Sequence, residues 1–157
     1  MKVQMKNKRF TTIMIILVVF PFVLIIGFTT LIKGIDLIWE VKEYKYYSNE
    51  ENFVEVTSEI NHIVWNHSEQ RVTIGLSNVP ETFSDNCFDI EEENYKILLE
   101  NGGEEYLQLG TAVTIVTAPR YFGDGYIMPI VAIKVGEYEL LNYEDGYEGL
   151  MESYRIF

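Results

Sequence analysis

Cysteine is almost missing from this chain of 157 residues, and basic side chains are scarce everywhere but at its start. Cys87 stands alone, so an intramolecular disulfide is impossible and so is any CxxC redox or zinc arrangement. A single thiol of this kind reads first as a small buried apolar side chain. Twelve Lys and Arg face 24 Asp and Glu, and the imbalance is polarised. Lys2, Lys6, Lys8 and Arg9 fall within the first nine positions, whereas every acid lies at Asp36 or later. From residue 33 onward eight basic side chains stand against 24 acids, a formal balance of −16. Affinity for nucleic acid comes largely from Lys and Arg displacing counterions, so a domain this acidic repels a phosphate backbone. No nucleic-acid partner is expected.

The motifs of catalysis are lacking as well. There is no G-x-S-x-G, H-E-x-x-H, S-x-x-K or phosphate-loop pattern, and nothing in the spacing of Ser, Asp and His assembles a nucleophile with its base. The chain is therefore expected not to be an enzyme and to carry no cofactor. Its two histidines, His62 and His67, are five apart and share neither a strand face nor a helical face, which argues against a metal pair. His62 has the parity of the inward residues of its strand and reads as a partly buried, satisfied imidazole. The acidic run Asp85, Asp89, Glu91, Glu92 and Glu93 lacks the glycine that a calcium loop needs at its sixth place. It reads instead as the solvated start of a helix, where negative side chains meet the positive end of the dipole. No metal site is expected.

What the chain has in quantity is apolar and aromatic residues, 48% and 14%, enough to fold despite its acidity. The longest apolar run, Thr11 to Ile32, holds 22 residues without a charge. As a helix it would be about 33 Å long against a hydrocarbon core of about 30 Å, and it shows no polar stripe. A transmembrane helix is expected over 11–32, bent where Pro21 and Gly27 fall. The run exceeds the roughly 7–15 apolar residues of a secretory signal, and FTTLIKGIDLIWE offers no small-x-small cleavage site, so an uncleaved signal-anchor is expected. Four basic residues precede the run, while Lys33 beyond it is balanced by Asp36 and Glu40. The basic residues 1–10 should stay in the cytoplasm and the acidic domain should lie extracytoplasmic at the cell membrane, with the lipid bilayer as one partner. Trp39, Tyr44, Tyr46 and Tyr47 follow the exit, as headgroup-level anchors or as aromatics of a stalk.

Residues 33–51 read as a connector, helical to Tyr47, and 52–157 as the folded domain. In FVEVTSEINHIVWN, Val54, Val56, Ile60 and Val64 alternate with polar Glu55, Thr57, Glu59 and Asn61, the period of a half-buried strand, with Ser58 marking a bend. The turn-like residues 66–70 lead to RVTIGLS, where Val72, Ile74 and Leu76 alternate again, so the two strands form a hairpin. CFDI predicts a short third strand. EENYKILLENGG predicts a helix with Tyr95, Leu98 and Leu99 on one face and Gly102 near its end. TAVTIVTAP and YIMPIVAIKV predict two further strands around RYFGDG. Tyr147, Leu150, Met151 and Tyr154, spaced i, i+3, i+4 and i+7, predict a closing amphipathic helix.

Five strands with a helix between the third and fourth, over roughly residues 53–136, resemble the OB-fold, a small Greek-key β-barrel. Trp65, Gly75 and Gly110 fall at positions such a barrel can use; a small sandwich or an SH3-like barrel is the rival. The resemblance implies a ligand face flanked by the loop between the first two strands, residues 66–70 with His67, and the loop between the last two, PRYFGDGY at 119–126. The second loop gathers Arg120, Tyr121, Phe122, Asp124 and Tyr126, and aromatics with arginine are what binding hot spots favour. The alternative is that the aromatics simply cover the barrel end and Asp124 shapes the turn. Asn66-His67-Ser68 also matches the glycosylation sequon. The expectation is a non-enzymatic membrane-tethered domain that binds a protein or envelope component through this loop face. A small accessory subunit acting through its transmembrane helix, and an enzyme with an unrecognised site, are the alternatives.

Overall fold

The structure is a computed structural model and describes residues 34–35, 37–120 and 128–154. The chain divides into two compact units, Met1–Trp39 and Glu40–Phe157. In the first, residues 34–35 and 37–39 are helical, with Ile35, Leu37, Ile38 and Trp39 exposed. Among the described residues no helix is long and apolar enough to cross a membrane; the uncharged run at 11–32 lies outside them.

The second unit opens with helix α1, residues 40–47, and a single 3-10 turn, Glu50–Asn52. Six strands follow: β1 (Val54–Asn66), β2 (Arg71–Leu76), β3 (Cys87–Glu91), β4 (Ala112–Thr117), β5 (Met128–Val135) and β6 (Tyr138–Leu141). Helices α2 (Glu92–Glu100) and α3 (Gly103–Tyr106) lie between β3 and β4, and α4 (Tyr143–Ser153) ends the described chain. β1 is long enough to serve two partners, β4 along its first half and β2 along its second. β3 closes onto β5 in parallel through Phe88↔Met128 and Asp89↔Pro129, and β5 returns antiparallel to β4. The cyclic order β1-β2-β3-β5-β4 is a closed, mixed five-stranded barrel, as the sequence pattern led one to expect.

Two departures have local causes. β1 carries a bulge at Asn61, between the pairs Ile60↔Leu76 and His62↔Gly75, three residues beyond the expected bend at Ser58. One extra residue reverses parity. Val56, Ser58 and Ile60 face inward before it, but Ile63 and Trp65 pack on the core after it, while His62 and Val64 turn outward into solvent. His62 is thus an exposed side chain, not the inward imidazole its spacing suggested. The second departure is β6, unforeseen because its four residues include two exposed ones and show no clean alternation. It extends the sheet beyond β5 after a turn at Gly136, whose φ is 57°. Its outer edge is partly satisfied by Asn101, whose Nδ2 donates to the Leu140 carbonyl at 3.0 Å.

The barrel is filled by aliphatic side chains from every strand. Ile60, Ile74, Leu76, Phe88, Ile115 and Ile133 are all at most 1% exposed, and burial of each contributes about 1.5–3 kcal/mol before chain entropy is set against it. Tyr95 and Leu98 of α2 complete the core at one end, on the face their spacing predicted, and Gly102 ends the helix with φ 80°. α4 forms as expected, capped by Asn142, whose side chain accepts from the Asp145 N–H at 2.9 Å. Its apolar face is only half-buried, however. The closest approach is made by Gly146 and Gly149: a Cβ on Gly146 would stand 2.0 Å from the Val131 carbonyl oxygen. Gly146 lets the helix backbone lie directly on β5, while Gly149 makes room for the Asn94 side chain of α2, whose Nδ2 donates to the Gly146 carbonyl at 2.8 Å.

Tyr47 is 1% exposed. Its ring meets Phe53 and Tyr154 at centroid distances of 6.2 and 6.1 Å, and Phe53 in turn meets Tyr147 edge-on at 5.6 Å. The aromatics after the uncharged run therefore hold α1 against the C-terminal helix of the barrel unit.

Candidate functional site

The strand registers fix where the two expected loops lie. The β1–β2 turn, residues 67–70, sits where Arg71 pairs with Glu91, at the far end of β3. The β4–β5 connection enters β5 at Met128, paired with Phe88 at the beginning of β3. The described ends of the two connections thus lie at opposite ends of β3.

At the first end His67 is held on both sides. Its Nδ1 is hydrogen-bonded to the Tyr95 hydroxyl at 2.6 Å, and Nε2 lies 3.4 Å from Glu104 Oε1. Trp65 packs beside Tyr95 at a centroid distance of 6.1 Å. Burial, reinforced by Glu104, pushes the Tyr95 phenol up, so it stays a neutral hydrogen-bonding group. The imidazole remains largely solvent-facing, with 62% of its side chain exposed, which leaves a fixed ring edge available to a ligand. Asn66 shapes the turn: its Oδ1 accepts from Ser68 Oγ at 2.7 Å and from the Glu69 N–H at 3.2 Å. Two non-glycine residues adopt left-handed conformations here, Gln70 with φ 51° and Glu92 with φ 50°, linked by the Glu92 N–H donating to the Gln70 carbonyl at 2.9 Å. Such geometry costs on the order of 1–3 kcal/mol per residue and persists only where surrounding contacts impose it.

At the second end Arg120 is exposed, its guanidinium 6.0 Å from the centre of the Tyr46 ring, and its carbonyl accepts from the Tyr47 hydroxyl at 3.1 Å. Burial raises the Tyr46 phenol, partly offset by the Arg120 charge. Tyr121, Phe122, Asp124 and Tyr126 lie outside the described residues.

On the face of β2 and β3 opposite the core stand Arg71, Thr73, Cys87 and Asp89, with Gly75, paired with Cys87, covered by Asn61 and His62 of β1. Arg71 bonds one carboxylate oxygen of Asp89 through both Nε and Nη2. Asp89 is 7% exposed, and its other oxygen, Oδ1, has no hydrogen-bond partner among the described residues. Burial, then Asp85 and Asp89, push the Cys87 thiol up and away from its nucleophilic form.

The acidic run is dispersed by the fold. Asp89 pairs with Arg71 in the sheet, Asp85 accepts from the Asn86 N–H at 2.6 Å, and Glu93 pairs with Lys96 at 2.5 Å on α2. Among the described residues no group of three or more His, Cys, Asp or Glu side chains could hold a metal ion. The Tyr95 and Glu104 partners of His67 were not foreseeable: they lie 28 and 37 positions away, with no motif linking them. Comparison with family models, with curated proteins and with solved structures finds no match to this chain.

Proposed function

We propose that the chain is a membrane-tethered, non-enzymatic binding protein. In this reading residues 11–32 are an uncleaved transmembrane anchor with the N-terminus in the cytoplasm, and the acidic domain is extracytoplasmic. The barrel is OB-like, and it takes a protein or envelope component on the outer face of β2 and β3. One loop supplies Arg120, Tyr121, Phe122, Asp124 and Tyr126, and the other supplies His67. The observation that supports the reading is the closed cyclic order β1-β2-β3-β5-β4 with a helix before β4, because an OB-like barrel of this order binds on a face flanked by these two loops. The strained turn around Gln70 and Glu92 adds support at one of those loops.

The test is photocrosslinking of the full chain in native membranes from a photoreactive residue at Tyr121. A defined adduct that disappears with Phe122→Ala supports the reading, whereas an adduct indifferent to that change counts against it. Protease protection of the same membranes addresses the anchor: the domain should be digested from the outside and the basic tail spared.

A second reading is favoured by the exposed Ile35, Leu37 and Ile38, which carry apolar surface beyond the uncharged run. The chain would then be a small accessory subunit of a membrane complex, working through its transmembrane helix. Replacing residues 11–32 by an unrelated spanning helix would release it from the complex under this reading and leave capture intact under the first.

A further inference from the structure

The first half of β1 with β4, β5 and β6 carries a groove of its own. Cross-strand register lays two rows of outward side chains over the first half of β1, β4, β5 and β6. Glu55 pairs with Val116, and Val116 with Ala132; in the next row Thr57 pairs with Thr114, Thr114 with Lys134, and Lys134 with Glu139. Glu55, Thr114, Val116, Ala132, Lys134 and Glu139, with Tyr143 of α4, line a groove of about 220 Å³. Pockets for drug-sized ligands run from about 300 to 1,000 Å³, so this one is matched to a single side chain.

Its chemistry is uneven in a useful way. Val116 and Ala132 form an apolar floor, deep at Ala132, where only a methyl group projects. Lys134 is already neutralised by Glu139 at 3.0 Å. Tyr143 contributes an aromatic wall whose hydroxyl donates to Glu50 Oε2 at 3.3 Å, placing a second carboxylate at the rim. Glu55 forms no ion pair among the described residues, and Lys134 of the same groove is held by Glu139. An apolar floor, a phenol ring and an uncompensated carboxylate are what a long aliphatic side chain with a cationic head requires. The formal balance of −16 beyond residue 33 adds a long-range attraction for basic partners.

We propose that this groove receives one lysine or arginine side chain of a partner protein. The aliphatic stem lies on Val116 and Ala132 beside Tyr143, and the cationic head meets Glu55. Among the described residues the groove shares none with either loop, and one reading can fail while the other stands.

The probes are N-acetyl-arginine amide, N-acetyl-lysine amide and, as uncharged controls, the citrulline and norleucine analogues. Each is titrated into the 15N-labelled full chain in detergent micelles. The two cationic probes are expected to move the backbone amides of Val116, Ala132 and Lys134, with an affinity that falls as salt rises. Citrulline and norleucine should leave those amides in place. Glu55→Gln, an exposed change, should weaken binding roughly three-fold or more with the rest of the spectrum unaltered. Ala132→Leu should abolish binding by filling the floor. The proposal is overturned if the uncharged probes move the same amides equally, which would make the groove merely apolar. It also fails if the cationic probes move none of them at concentrations on the order of 50 mM, or if Glu55→Gln binds as well as the parent.

Discussion

Gly75 on β2 stands directly across from His62 on β1, so close that a Cβ there would lie 2.9 Å from His62 Cβ and 2.7 Å from Asn61 Oδ1. The bulge at Asn61 presses β1 against its neighbour, and only a residue without a side chain leaves room. Gly75→Ala should therefore destabilise the barrel by about 1–3 kcal/mol through overpacking. Gly110 is a useful contrast. It has φ 81° but open space around its Cα, so Gly110→Ala should cost only its conformational penalty of about 1–2 kcal/mol. Asn61→Gly removes the Oδ1 contact but not that with His62 Cβ, so it should relieve only part of the Gly75→Ala penalty and leave that of Gly110→Ala unchanged, as read from urea unfolding.

The bond between His67 and the buried Tyr95 hydroxyl gives a second expectation. His67→Ala leaves that hydroxyl without its partner, at a cost of about 1–3 kcal/mol. Tyr95→Phe removes the other member. If the two groups serve one another, the double variant should be less destabilised than the sum of the single ones, a coupling that thermal unfolding of the four proteins measures directly.

Arg71 and Asp89 form the third case. Arg71→Met strips the guanidinium from a carboxylate that is 7% exposed, and breaking such a pair from one side costs about 3–5 kcal/mol. Changing both residues to apolar ones of similar volume should recover most of that loss. A double variant as unstable as Arg71→Met alone would show that Arg71 acts through other contacts.

Alkaline pH should unfold the domain in a concerted way. The phenols of Tyr46, Tyr95, Tyr106 and Tyr147 are raised, chiefly by burial, and that of Tyr143 is pushed up to about 12 by burial and by Glu50. Tyr47 is raised further still. An unfolded tyrosine titrates near 10, so the folded state holds these protons more tightly. Stability is then fully present below about pH 10 and is lost as pH rises toward the folded values. Tyrosinate absorbance should climb steeply together with the loss of tertiary circular dichroism; independent titration near 10 with the fold intact would contradict the burial described.

Much of this architecture was legible in the sequence because alternation survives wherever one face of a strand is buried. Val72, Ile74 and Leu76 declared β2, and Tyr95 and Leu98 declared the inner face of α2. What misled was a single inserted residue. Asn61 reverses the parity of β1, and no local pattern separates an outward His62 from an inward one without knowing what Gly75 opposes. β6 was hidden by its brevity, and the seat of α4 by its dependence on glycines, which carry no hydropathy signal at all. At the candidate site the Tyr95 and Glu104 that fix His67 are tertiary neighbours, beyond the reach of periodicity.

The hydrogen bond from Tyr47 to the Arg120 carbonyl has a mechanical consequence. Tyr47 is wedged among rings of the barrel unit, and its hydroxyl grips the backbone where β4 gives way to the connection toward β5. Tyr47 therefore ties α1 to a residue 73 positions further along the chain, a junction that makes the start of this unit a clasp on the exit of β4.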